Sequence, residues 1–277
     1  MSDNNPTSHV RTAAVSVGIA VNITATIRSS LTMQHIQSAD FFAQQAAKIE
    51  RESQTTGVRF GDAANNIAAP QHQAYVIGSI FAAVAFLEAA VNDLLAQTAD
   101  PMYAGGDFKG TWVEHVTPEV RTRLGDAWRG TGPFAWTRKA LVREAGVLVK
   151  FDTVLDLAEQ SFSAQEMGGG TPYDHVGRVI EFRNYLMHNI PSTTTHTGDA
   201  DVFSDDKETA KLSKKLEERK VAPNTLGGAT PSSFPARYLS AGCAGWAVRS
   251  AAQFALAFYA KIGITSPFNN QLQKYAR

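Results

Sequence analysis

The sequence predicts an all-α protein, a mainly helical bundle preceded by one N-terminal β-strand. Apolar residues recur at helical spacing from about residue 38 to about residue 262. Proline and glycine punctuate that pattern at Pro70, Pro101, Gly105-Gly106, Gly168-Gly169-Gly170, Pro172 and Pro191, which are the places where helices start or stop. By contrast, Ala13, Val15, Val17, Ile19, Val21, Ile23, Ala25 and Ile27 alternate with mostly polar residues. A period of two over that length is the mark of an extended strand. The chain has 277 residues, 44% hydrophobic and 19% charged, enough apolar material to bury a core and too much for wholesale disorder.

A single strand needs a partner for its backbone groups. No second stretch of matching length exists, so the strand is expected to pair across a homodimer or with a short piece such as Gly57 to Phe60. Ser38–Asp40 caps a helix running to about Glu52, and 54–70 reads as a loop. A long helix follows from about Gln71 to Gln97, then shorter ones near 118–129 and 138–160. Another helix runs from Tyr173 to about Asn189, before a Thr-rich loop over 192–204. A charged helix over 205–220 carries Leu212 and Leu216 on one side, and a final apolar helix spans about Leu239 to Ile262. Residues 1–66 are assigned to an N-terminal strand and helix, and 67–277 to the main helical domain.

Charge and cysteine content remove several function classes. Lys plus Arg equals Asp plus Glu at 26 each, so the protein as a whole lacks the positive excess that drives non-specific binding to nucleic acid. A small, locally cationic cleft stays compatible with that balance. One cysteine, Cys243, excludes an internal disulfide and any multi-cysteine zinc site, and its apolar surroundings suit a small buried hydrophobe. The N-terminus shows no secretory leader. The apolar stretch Ile77 to Leu95 contains Glu88, Asn92 and Asp93, which favours a buried core helix over a membrane span. The expected compartment is the cytoplasm, with no membrane partner.

The helix over 173–189 holds the most informative residues. At about 100° per position, Val176, Val179, Ile180, Phe182, Leu186, Met187 and Ile190 cover one apolar arc. Gly177, Glu181, Asn184 and His188 form a narrow adjoining stripe, whereas Arg183 falls inside the apolar arc. Burying a guanidinium costs several kcal/mol unless it is paired, roughly speaking, so Arg183 requires an acid, an anionic ligand or an opening at the helix end. Glu88 in the long helix shares its stripe with Ile77, Phe81, Val84, Val91 and Leu95. It is therefore expected beside Arg183, with Asn92 one turn on as a further polar partner. Such a pair can also serve only to lock helix register, and a histidine near a helix C-terminus suits the helix dipole without doing chemistry.

Arg183-Asn184-Tyr185-Leu186-Met187-His188, near the end of an apolar helix in a helical core, resembles the signature of the HEPN family. Phe86-Leu87-Glu88-Ala89-Ala90-Val91-Asn92 resembles the acidic early helix of many HEPN proteins, and the similarity covers about residues 70–190. The resemblance implies a HEPN-like bundle that forms homodimers, with two motifs sharing one cleft. It also implies a metal-independent endoribonuclease that needs no cofactor, acts on RNA, and works as a toxin or phage-defence effector with an antitoxin or defence-system partner. Arg183, Asn184 and His188 would then be the catalytic residues, supported by Glu88, Asn92 and Glu181. His188 has the right intrinsic acidity to take a proton from a ribose 2′-hydroxyl. Arg183 can hold a phosphate through paired hydrogen bonds, and Asn184, which cannot titrate, positions the ring or the substrate.

Other candidates are weaker. His196, Asp199 and Asp201 lie close together but match no metal-ligand spacing. The glycine runs lack the lysine and hydroxyl residue of a phosphate loop. Lys211, Lys214, Lys215, Arg219 and Lys220 are interleaved with Glu208, Glu217 and Glu218, the pattern of a solvated helix face. Two further readings compete with a ribonuclease: a catalytically silent HEPN homodimer that binds nucleic acid, nucleotide or protein, and a purely structural helical protein.

Overall fold

The computed structural model describes residues 30–57, 68–99, 113–114, 116–131, 146–188, 207–224, 226, 234–264 and 268–277. The alternating run at 13–27, residues 58–60 of its suggested short partner and the Thr-rich stretch 192–204 lie outside them. Eight α-helices order the described chain: α1 (Thr32–Thr56), α2 (Ala68–Ala99), α3 (Pro118–Arg129), α4 (Val147–Leu157), α5 (Pro172–Met187), α6 (Lys207–Glu218), α7 (Ala241–Lys261) and α8 (Asn269–Tyr275). A 3-10 turn at Ala236–Tyr238 leads into α7. The described part is thus all-α. Helix α1 begins six residues before the expected Ser38 cap, and α8 follows a segment that carries no helical signal in the sequence.

Helix α2 is the axis of the bundle. It packs against α1, α3, α4, α5 and α7, and its Val76, Ile80, Ala83, Phe86, Leu87, Ala90, Val91, Leu94 and Leu95 are all essentially inaccessible to solvent. By length and composition it is apolar enough to cross a bilayer, and half of its most apolar stretch is buried within the protein. Pro70 sits in its first turn, where the missing N–H costs nothing. Helix α1 lies N-terminal to the boundary drawn at residue 66, yet its Ile36, Ala39 and Ala46 join the same core as α2 and α7.

Local chemistry fixes the helix ends. Thr117 accepts a hydrogen bond from Val120 N–H and precedes Pro118, so α3 starts with a side-chain cap and a proline already set for helix. Thr171 and Pro172 repeat the device at the start of α5. At α7, Ser240 Oγ accepts from Cys243 N–H at 3.0 Å, and Glu50 of α1 accepts from Ala241 N–H at 2.6 Å. The same Glu50 carboxylate accepts from His72 Nε2 at 2.8 Å. His72 is fully buried in α2, so one carboxylate ties α1, α2 and the positive end of α7 together. Cys243 is buried as expected, and burial pushes its thiol up to about 12.

Helix α3 crosses α2 at close range through Gly125. A Cβ on that residue would meet the Thr98 carbonyl oxygen at 2.8 Å, and backbone cannot give way as a side chain can. Gly125→Ala is therefore expected to lower unfolding stability by about 1–3 kcal/mol, read as a lower urea midpoint. A neutral result would show that the α2–α3 contact is looser than this.

Candidate functional site

Helix α5 carries the motif, and its register separates the motif residues. Val176, Val179 and Phe182 are buried against the bundle, and the helix packs on α7, α2 and α6. Met187 is the last helical residue and His188 is the C-terminal cap, its N–H bonded to Asn184 O at 3.0 Å. Asn184 and His188 are both exposed, one turn apart on one face. Arg183 is half-buried on a different side of the helix, with its Nε buried and without a hydrogen-bond partner. Its Nη1 lies 3.1 Å from Met187 Sδ, a weak acceptor one turn on. Arg183 makes no ion pair among the described residues.

The expectation that Glu88 and Asn92 serve Arg183 is corrected. Both belong to Lys150 of α4, whose Nζ lies 2.7 Å from Glu88 Oε1 and 3.4 Å from Asn92 Oδ1. The Lys150 side chain is 1% exposed and that of Glu88 is 44% exposed, so the carboxylate reaches inward from the solvent side. The physical reason is register. Lys150 stands among Val147, Phe151, Val154 and Leu155, all buried, and the ammonium has an even stronger claim on the nearest acid than Arg183 has. The same reasoning from an apolar helix face, applied to α4, identifies Lys150 directly in the sequence.

Glu181 is also committed elsewhere. It pairs with Arg178 one turn back on α5 and with Lys215 Nζ of α6 at 2.6 Å. Two turns nearer the start of α5, Asp174 receives Arg219 of α6 in a fork, with Nε at 2.8 Å and Nη2 at 3.0 Å. Burial, the largest single influence, works to raise the Asp174 carboxyl. The Arg219 hydrogen bonds, the Gly170 N–H and the charges of Arg219 and Arg178 together outweigh it and hold the carboxyl below its usual range. The same fork holds the Arg219 guanidinium above its ordinary value. These contacts, with buried Leu212 and Leu216, seat α6 alongside α5.

A cavity of about 290 Å³ opens at the opposite end of α5, lined by Phe162, Gln165, Glu166, Tyr173 and Phe254 among others. Its walls are mostly apolar, and Glu166 at the rim accepts from Lys261 Nζ at 3.0 Å and from Ser163 N–H at 2.7 Å. Tyr173 is pushed up to about 12 by burial and by neighbouring Asp152, to which its hydroxyl donates at 3.1 Å. About 22 Å of helix separates Tyr173 from His188 at the standard rise, so this hollow and the motif are distinct places. His196, Asp199 and Asp201 lie outside the described residues.

Comparison with protein-family models, with curated proteins and with solved structures returns no match for this chain.

Two outcomes follow from the charge network. Glu88→Ala strands a buried ammonium and is expected to cost about 3 kcal/mol of unfolding free energy, whereas Lys150→Met is expected to be close to neutral. Equal losses in the two variants, measured in urea, would contradict the pairing. For Asp174, a folded carboxyl below the unfolded value of about 3.9 adds stability that is complete above that value. The contribution disappears as pH falls through the lowered folded value. The stability gap between the native protein and Asp174→Asn is therefore expected to be widest near neutral pH and to shrink below about pH 4, and urea midpoints across that range would show a constant gap if the ion pair were idle.

Proposed function

We propose that this chain is a HEPN-type, metal-independent endoribonuclease of the cytoplasm, acting as a homodimer in a toxin–antitoxin or phage-defence setting. The observation that carries the reading is the state of Arg183. Its guanidinium is rooted near the end of α5 with no carboxylate partner among the described residues, on a different side of the helix from exposed Asn184 and His188. Glu88, the acid that would have neutralised it, is held by Lys150. A guanidinium with no acid among the described residues, and an exposed imidazole and amide on another face of the same helix end, are the kinds of group that suit a phosphodiester.

In this reading His188 takes the proton from a ribose 2′-hydroxyl, and the 2′-oxygen forms a bond to phosphorus as the bond to the 5′-oxygen breaks. Arg183 stabilises the negative charge that builds on the phosphoryl oxygens. Asn184 positions substrate or ring. The 5′-oxygen leaves with a proton from solvent, and the other product ends in a 2′,3′-cyclic phosphate. DNA, which lacks the 2′-hydroxyl, resists this route.

Arg183 and His188 leave one helix on different faces, and a second copy facing the first would let the Arg183 of one protomer meet the His188 of its partner. The same divergence favours the second reading, a silent HEPN homodimer that binds nucleic acid, nucleotide or protein without cleaving it.

Labelled single-stranded RNA incubated with the protein in EDTA separates the two. Cleavage to 2′,3′-cyclic ends is expected, falling about 10²–10⁴-fold in His188→Ala and also in Arg183→Ala. Intact RNA with the native protein, or equal cleavage by native and His188→Ala, would end the ribonuclease reading.

A further inference from the structure

Helix α6 docks on α5 with Leu212 and Leu216 and leaves its outer face in solvent. The order of its contacts gives it a second property. Arg219 meets Asp174 and Lys215 meets Glu181, so the two helices run antiparallel, and the N-terminal half of α6 lies beside the C-terminal half of α5. Asp174, Glu181 and His188 stand seven residues apart, close to two full turns, and so share one stripe of α5. Lys207, Lys211, Lys215 and Arg219 recur every four residues along one side of α6. The first two members of the α5 stripe are matched by Arg219 and Lys215. The third, His188, is the exposed histidine of the motif.

Counting along both helices at about 1.5 Å per residue shows what faces it. Asn184 and His188 lie about 4.5 and 10.5 Å beyond Glu181 on α5. Lys211 and Lys207 lie about 6 and 12 Å beyond Lys215 on α6, in the same direction. Both lysines are exposed and make no ion pair among the described residues. Of the acids interleaved with them in sequence, Glu217 is occupied by Arg237 at 2.7 Å and Glu218 by Arg219 at 2.5 Å at the far end of the helix, and Glu208, between the two lysines, has an interaction of its own.

We propose that Lys207 and Lys211 of α6 form, with Asn184 and His188 of α5, a phosphate-binding groove that holds the backbone of single-stranded RNA across the motif. This deepens the ribonuclease reading and rests on it. It also supplies a cation on the His188 face within the same chain, where Arg183 does not project. A strand with a charge at every nucleotide, held by flexible ammonium groups, needs no base-specific contact to stay in place. The paired Lys215 and Arg219 anchor the helix, and Lys207 and Lys211, unpaired among the described residues, meet the ligand.

The test measures binding of a fluorescein-labelled single-stranded RNA by anisotropy over a series of salt concentrations, with cleavage in EDTA followed in parallel. Binding is done in a His188→Ala background so that the RNA survives. Lys207→Gln with Lys211→Gln is expected to weaken binding at low salt about tenfold and to reduce the slope of log K against log salt by about 1.4, the value for two phosphate contacts on a single strand. Lys207→Arg with Lys211→Arg keeps the charges and should retain both. Lys48→Gln with Lys274→Gln, which removes the same charge from α1 and α8, should change neither.

An unchanged slope in the α6 glutamine variant, with RNA still bound and cleaved by the otherwise native chain, overturns the groove and leaves the nuclease reading standing. Equal losses in the α6 and control variants overturn it as well. Lysine-dependent binding without any cleavage supports the groove and removes the nuclease. No binding by the unsubstituted lysine surface defeats both.

Discussion

A helix that is apolar around most of its circumference has to be covered around most of its circumference, and α2 imposes that condition on everything else. It runs for 32 residues from Ala68 to Ala99, and α1, α3, α4, α5 and α7 lie against it. Several of its buried polar groups are given a partner. His72 bonds to Glu50, Ser79 donates to Ala39 O at 2.8 Å, and Thr98 donates to Leu95 O at 2.7 Å. An unpaired polar atom in such surroundings would cost about 1–3 kcal/mol, so the bonds of His72 and Ser79 to α1 help to fix the rotation of α2. Helix α5, and the motif on it, takes its orientation from this arrangement.

The charges buried within the bundle obey the same logic. Lys150 enters the core on the apolar face of α4 and draws in Glu88 and Asn92. That leaves half-buried Arg183 without Glu88 as a partner. One ion pair therefore decides two things at once. It keeps α4 in register against α2, and it leaves the guanidinium of the motif without an acid among the described residues. On the outer side of α5 a separate set of pairs, Asp174 with Arg219 and Glu181 with Lys215, settles where α6 lies.

Much of the fold is legible in the sequence because helix signals are local. The Thr-Pro starts of α3 and α5 mark those termini to within a residue, and the apolar spacing of α2 and α7 reveals both. What the sequence hides is non-local. The α1 start is hard to see because Leu31 precedes it without a side-chain cap, and the seven-residue α8 is too short to show periodicity. Of the site, the exposed stripe of Asn184 and His188 is visible from helical spacing. Partnership is not: Glu88 had two buried cations to choose between, and only the packing of α4 decides for Lys150. The lysines of α6 read as a neutralised face until the docking shows two of their acids, Glu217 and Glu218, held by arginines at the far end.

Cys243 is fully enclosed beneath the start of α7, and its thiolate is suppressed at neutral pH. The protein has no other thiol. A cysteine introduced at any exposed position on α5 or α6 thus becomes the sole reactive sulfur of the native fold. Maleimide dyes or spin labels can be attached there without removing the natural residue, and the buried thiol, reacting once the chain opens, doubles as an internal reporter of unfolding.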